Sequence, residues 1–159
     1  MGSTIKTNDG ELQVIFDHFR QSRPENTLSE YLGLDIDSTG TDTVYVTFEM
    51  RDHLIGNPVF RSLNGGIISG VFDILGGQVA FLEVFRKVKG APLEKQIKHF
   101  SKVATIDLRV DYLQPGKGEK FTAKGWTLRS GNKVAVVRME LHNQDSVLIA
   151  VATGTYLMG

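Results

Sequence analysis

One carboxylate interrupts the most apolar stretch of the chain. From Asn64 to Leu82 the sequence reads NGGIISGVFDILGGQVAFL, and Asp73 is its single ionisable side chain. The pattern predicts a long helix, roughly Gly65 to Phe85, apolar on nearly every face and therefore buried. A carboxylate in the middle of such a helix is costly unless it is paired or hydrogen-bonded. Two readings of Asp73 stay open from the residues: a structural group satisfied by a neighbouring strand or a partner subunit, or a functional one. The glycine pair opening the helix is the second chemical feature. The first amides of a helix lack intrahelical acceptors and sit at the positive end of its dipole. At Gly65 and Gly66 no side chain intervenes, so these donors can hold an oxygen on which negative charge develops. A plain helix start is the alternative, and Gly70, Gly76 and Gly77 read as packing positions.

Other polar groups cluster around turns. Asn57 precedes Pro58, a pairing that favours a turn, and Asn64 is placed to cap the long helix. Arg129-Ser130-Gly131-Asn132-Lys133 reads as a hairpin tip whose backbone donors and two cations can hold phosphate groups; a solvated hairpin is the bland alternative. Between Arg86 and Lys102 there are six Lys or Arg and one acid, Glu94, a second basic segment.

Several chemistries lack their residues. There is no cysteine, which removes disulfides, thiolate metal sites and a Cys nucleophile, and fits a reducing cytoplasm. His18, His53, His99 and His142 show no metal-ligand spacing. Ser69 falls inside the helix rather than at a strand-to-helix elbow. No phosphate-binding Gly-Lys-Ser/Thr loop or dinucleotide fingerprint is present. Formal net charge is zero, and no basic, aromatic-studded surface suits nucleic acid. The opening residues carry no secretory apolar segment. Asp73 and five glycines argue against the stretch at 65–82 as a membrane span.

The elements that must position these groups follow from periodicity. The length, 159 residues with 41% hydrophobic and 23% charged, suits one soluble domain. Asp9 to Ser22 carries Leu12, Ile15, Phe16 and Phe19 at helical spacing, making residues 1–30 a helical N-terminal extension. Tyr31 to Asp37 and Thr43 to Met50 read as strands. After the long helix, Leu93, Ile97 and Phe100 share one side of a second helix. Thr105 to Tyr112 alternates with period two, and 121–128, 134–141 and 147–157 continue as strands joined by short turns. A meander with an apolar helix on one face is an α+β domain.

The ordered set Gly56-Asn57, Asn64-Gly-Gly-Ile-Ile-Ser, Asp73, ATIDLRVDYLQPGKGEKFTAKG, LRSGNKVAVVRMELHN and IAVATGTYLM resembles the PaaI-type hotdog-fold acyl-CoA thioesterases, and within them the YigI-type branch associated with medium- and long-chain acyl-CoA. The resemblance covers roughly residues 32–158. It implies a curved antiparallel sheet of about five to six strands wrapped around the central helix, in one hotdog domain over 1–159. It also implies hydrolysis of an acyl-CoA thioester to free acid and coenzyme A. Asp73 would be the general base or nucleophile, Gly66 the oxyanion donor and Asn57 a positioning group. Asn64, Gly65 and the hairpin residues Arg129 to Lys133 would contact substrate. The family usually has His-Gly-Gly where this chain has Asn64-Gly65-Gly66, and Asn cannot titrate near neutral pH.

Gly66 and Asp73 are seven residues apart, or about 10 Å along one helix, whereas both must come within about 3 Å of one reacting group. Antiparallel pairing of two such helices places Gly66 of one chain near Asp73 of the other. The spacing thus predicts a homodimer with shared sites, and the resemblance implies further assembly to a homotetramer. No metal or redox cofactor is expected, since a thioester is already activated; coenzyme A enters as part of the substrate. Two rivals remain. A hotdog hydratase or dehydratase needs an active-site His, and none lies between His53 and His99. A non-catalytic acyl-CoA binding module would keep the pocket without needing a base.

Overall fold

A computed structural model describes residues 4–21, 24–25, 27–39 and 42–159. The chain opens with strand β1 (Thr4–Lys6) and helix α1 (Gly10–Gln21). Asp9 caps α1, its Oδ1 accepting the amides of Glu11 at 3.0 Å and Leu12 at 3.3 Å, so two orphan donors of the helix start are satisfied. Leu12, Ile15 and Phe16 then fall on the buried side. Helix α2 (Leu28–Tyr31) is a single turn. It occupies the start of the stretch expected to be a strand, which shrinks to β2 (Asp35–Asp37) after a turn through Gly33 at φ 65°. Strand β3 (Thr43–Glu49) alternates cleanly, with Val44, Val46 and Phe48 inward.

A 3-10 turn (Asp52–Leu54) leads to a small ribbon of β4 (Ile55–Asn57) and β5 (Ser62–Leu63). Next come the long helix α3 (Gly65–Val88), helix α4 (Leu93–Phe100), and strands β6 (Ala104–Tyr112), β7 (Lys120–Ser130), β8 (Val134–Asn143) and β9 (Leu148–Leu157). The main sheet runs β1-β2-β3-β7-β8-β9-β6. Every neighbour is antiparallel except β1 with β2. Seven strands stand where five to six were expected, because β1, within the 1–30 segment expected to be helical, adds a three-residue strand beside β2.

The sheet curves around one side of α3. Phe121 and Ala123 of β7, Val137, Met139 and Leu141 of β8, and Ala150 and Ala152 of β9 all point at it and are buried. From the helix, Ile68, Val71, Phe72, Leu75 and Val79 complete this core; burying each such side chain stabilises the fold by about 1.5–3 kcal/mol. α3 is long and apolar enough to cross a membrane, yet more than half of its most apolar window is buried within the fold.

The expectation of a helix covered on nearly every face does not hold in the single chain. Gly66 and Asp73 are exposed, and Gly70 and Gly77 are half-buried. The sheet wraps one side only, so this stripe is left open. The neighbouring sheet edge is open as well. β6 pairs with β9 on its inner side, has no described partner on its outer side, and exposes Ile106.

Candidate active site

The mouth of α3 is built by the β4–β5 ribbon. Ile55 pairs with Leu63 and Asn57 with Ser62, and the Asn64 amide donates to the Leu54 carbonyl at 2.9 Å. The two backbones cross so closely at Gly56 that a Cβ there would lie 2.6 Å from Asn64 Cα. Glycine at this position is a packing requirement. Asn64 caps the helix in extended conformation, φ −65° and ψ 137°, and its Oδ1 accepts the Gly66 amide at 2.7 Å.

That hydrogen bond bears on which amide at the helix start is free to hold an oxyanion. The Gly66 amide is already occupied, whereas the Gly65 amide donates to no acceptor among the described hydrogen bonds. The sequence held the signal: a capping side chain accepts from the second or third helical residue, and Gly66 is second after Asn64. The free donor at the positive end of the helix is therefore Gly65. Its carbonyl accepts the Tyr112 hydroxyl at 2.9 Å, which fixes the peptide from the β6 side.

Asp73 projects from the open stripe of α3. Its Oδ1 accepts the Thr105 hydroxyl at 2.7 Å, and no other described hydrogen bond reaches the carboxylate, so Oδ2 is available. Thr105 is a site residue that the sequence reading missed; as a β-branched residue in an alternating strand it looked purely structural. Beside it on β9 lies Tyr156, paired in register with Thr105 and buried. Its hydroxyl has no hydrogen-bond partner. Burial first, and the charge of Asp73 second, push the phenol above its usual pKa. Gly76 makes room for this ring, since a Cβ there would sit 2.0 Å from the hydroxyl. Gly76 is thus a packing glycine as expected. At Gly77, by contrast, nothing within the chain lies within 4 Å of the place its Cβ would take.

Gly77 instead opens onto a cavity of about 670 Å³ with Asp73, Thr105 and Tyr156 at its wall. The remaining lining is largely apolar and comes from α3, α4 and the N-terminal elements. Its size is that of a small-molecule site.

Not all expected site residues converge. Asn57 spends its Oδ1 on its own turn, accepting the amides of Val59 at 3.0 Å and Phe60 at 3.3 Å, and its amide nitrogen has no acceptor among the described hydrogen bonds. The hairpin from Arg129 to Lys133 lies at the far end of α3, where Lys87 Nζ donates to the Gly131 carbonyl. Lys87, Lys89, Lys95, His99 and Asn132 border a depression of about 280 Å³ there. The two basic segments therefore meet each other, about 21 Å along the helix from Asp73. Gly65 and Asp73 are eight residues apart, or about 12 Å. Among the described residues no three His, Cys, Asp or Glu side chains cluster as a metal site requires.

A family model described as the thioesterase superfamily matches residues 60–150. Over 157 residues, 99% of both chains, the sequence is 35% identical to the medium/long-chain acyl-CoA thioesterase YigI of Escherichia coli K12. A solved structure from Shewanella oneidensis, described as related to the thioesterase superfamily, superposes with a TM-score of 0.84 at 37% identity, covering 96% of this chain and 100% of that one. The E. coli PaaI protein from the phenylacetic acid degradation operon has a TM-score of 0.66 at 17% identity, over 92% and 94% of the two chains, and so shares the fold.

Proposed function

The chain belongs to the thioesterase superfamily, and we propose that it hydrolyses medium- to long-chain acyl-CoA to a free acid and coenzyme A. The observation that carries this reading is Asp73: one oxygen is held by Thr105, the other is free, and an apolar cavity begins beside it. Oδ2 takes a proton from a water, and that water attacks the thioester carbonyl. The carbonyl oxygen becomes an oxyanion and accepts a hydrogen bond from the Gly65 amide. Collapse of the tetrahedral intermediate breaks the C–S bond and expels coenzyme A as its thiolate, which is then protonated. No metal or redox step is required.

Gly65 and Asp73 of one chain are too far apart along α3 to serve the same carbonyl. We assign the donor to a second copy, paired through the open stripe of α3 and the outer edge of β6. In that antiparallel arrangement we assign Asn57, on the β4–β5 ribbon that leads into α3, to position the substrate through its Nδ2. The partner's hairpin and basic segment lie about 21 Å along its helix from its Asp73, and we assign them to the phosphates of coenzyme A.

The test is thiol release from acyl-CoAs of graded length by wild type and Asp73→Asn. Removing the base should cost about 10²- to 10⁴-fold in kcat. A wild-type protein that cleaves no member of the panel, or an Asn variant that turns over normally, overturns the reading; binding without turnover identifies a non-catalytic module.

A further inference from the structure

The cavity beside Asp73 has an aromatic cluster among its lining residues. It runs along α3 past Ile74 and the bare backbone at Gly77, and is roofed by Ile5 of β1 and Leu28 of α2. Four phenylalanines from three helices line it, and Phe81 lies about two turns of α3 beyond Asp73. Phe81 of α3 stacks on Phe100 of α4 with ring centroids 4.0 Å apart, and on Phe16 of α1 at 5.4 Å. Phe19 meets Phe81 edge-on at 5.8 Å and Phe100 at 6.4 Å. Phe16 and Phe100 are buried, so the stack is anchored; Phe81 is half-buried and lines the cavity.

We propose that Phe81, held in this stack, is the stop that sets the longest acyl chain the site accepts, and that the preferred substrates are medium-chain. This rests on the thioesterase reading above, which places the thioester carbonyl at Asp73. From Asp73 to Phe81 is eight residues, about 12 Å of helix. An extended chain advances roughly 1.3 Å per methylene, from a C–C bond near 1.5 Å. About nine methylenes therefore fit before the ring is reached, which corresponds to acyl groups of roughly eight to twelve carbons. The N-terminal elements take part directly, because Phe16 and Phe19 prevent the Phe81 ring from swinging clear. Up to the stop, each added methylene is removed from water and raises kcat/KM about fourfold; beyond it the chain must displace a packed ring or leave its end in water.

The experiment is the kcat/KM profile over acyl-CoAs from six to eighteen carbons for wild type, Phe81→Ala and Phe81→Trp. Calorimetric binding of free fatty acids of the same lengths accompanies it. The wild-type profile should rise to a maximum between eight and twelve carbons and fall at least tenfold by sixteen. Phe81→Ala should move the maximum to longer chains by two to four carbons, and Phe81→Trp to shorter ones, with the binding limits shifting in the same directions. Opposite shifts from a smaller and a larger ring cannot come from general loss of folding, which a thermal melt checks independently. A wild-type maximum at sixteen to eighteen carbons, or limits unmoved by both variants, overturns the proposal. Fatty acid binding with the expected limits but no cleavage of any acyl-CoA would sustain the stop and overturn the hydrolytic reading instead.

Discussion

Two inactive variants should restore activity to each other, because the proposed site takes Gly65 from one chain and Asp73 from another. Gly65→Pro deletes the free amide while sparing the helix. Gly65 is the first helical residue, where proline is well tolerated, and Asn64 already holds the extended conformation, φ −65° and ψ 137°, favoured before proline. Losing one oxyanion donor costs about 10²- to 10³-fold in kcat. Gly65→Ala keeps the amide, and its new Cβ meets Tyr112 Cε1 at 3.4 Å, an ordinary contact, so it should stay within a few fold of wild type. Asp73→Asn removes the base and keeps the donor. When Gly65→Pro and Asp73→Asn chains are unfolded, mixed one to one and refolded, half of the dimers are mixed, and each mixed dimer has one intact site of two. The mixture should then recover about a quarter of wild-type turnover by thiol release. Native mass spectrometry supplies the fraction of mixed dimers. Mixed dimers without recovery would show that one chain completes its own site and refute the 12 Å argument. A fully active Gly65→Pro would refute the choice of donor.

Thr105→Val should lower kcat by about 10- to 100-fold with KM little changed, since a hydrogen bond to a charged group contributes about 1.5–3 kcal/mol, and Thr105→Ser should rescue it; steady-state kinetics on all three proteins decides. Tyr156→Phe removes a buried hydroxyl without a partner, so urea unfolding at neutral pH should show stability unchanged or raised by up to about 1 kcal/mol. The raised phenol pKa also fixes a sign. Below about pH 10 the phenol is neutral in both states, and above it only the unfolded state ionises. Wild type should therefore lose about 1.4 kcal/mol per pH unit there, relative to Tyr156→Phe. Arg129→Ala with Lys133→Ala should raise KM for acyl-CoA two- to fivefold at low salt with kcat intact, a difference that should vanish in high salt.

The features read most directly from sequence were those set by neighbours along the chain. The start of α3 follows from Asn64-Gly65-Gly66, its length from the unbroken apolar run, and the meander from period-two strands separated by turn residues. The interest of Asp73 was visible for the same reason, as a lone charge in an apolar run. What stayed hidden was set by contacts across the fold. Thr105 is 32 residues from Asp73, and only the register of β6 against β9 brings it there. The slot that Gly76 leaves for Tyr156 joins two residues 80 positions apart. The exposure of Asp73 within one chain was not legible, because periodicity reports which residues are apolar, not how far round the helix the sheet reaches. Which amide is left free was legible as well. The capping rule already assigned the Gly66 amide to Asn64.

The exposure of Asp73 in a single chain alters the energetics of the site. A carboxylate fixed inside a finished core would carry its desolvation cost through folding, with no compensation unless every lone pair found a donor. Here the fold forms with Asp73 in water, and Thr105 supplies one donor without covering the other oxygen. In the proposed dimer, desolvation comes only with association, and the incoming surface is the amino end of the partner's α3. The positive end of a helix dipole stabilises a nearby anion by about 0.3–1 kcal/mol, and by up to about 2 kcal/mol when partly buried. The same end carries the Gly65 amide that the oxyanion needs. Pairing thus lowers the cost of burying the base by the arrangement that completes the site, and it removes water from the cavity mouth in the same step. The lone charge on α3 is tolerable in the free chain because it is open, and tolerable in the proposed dimer because the helix end assigned to cover it is electropositive.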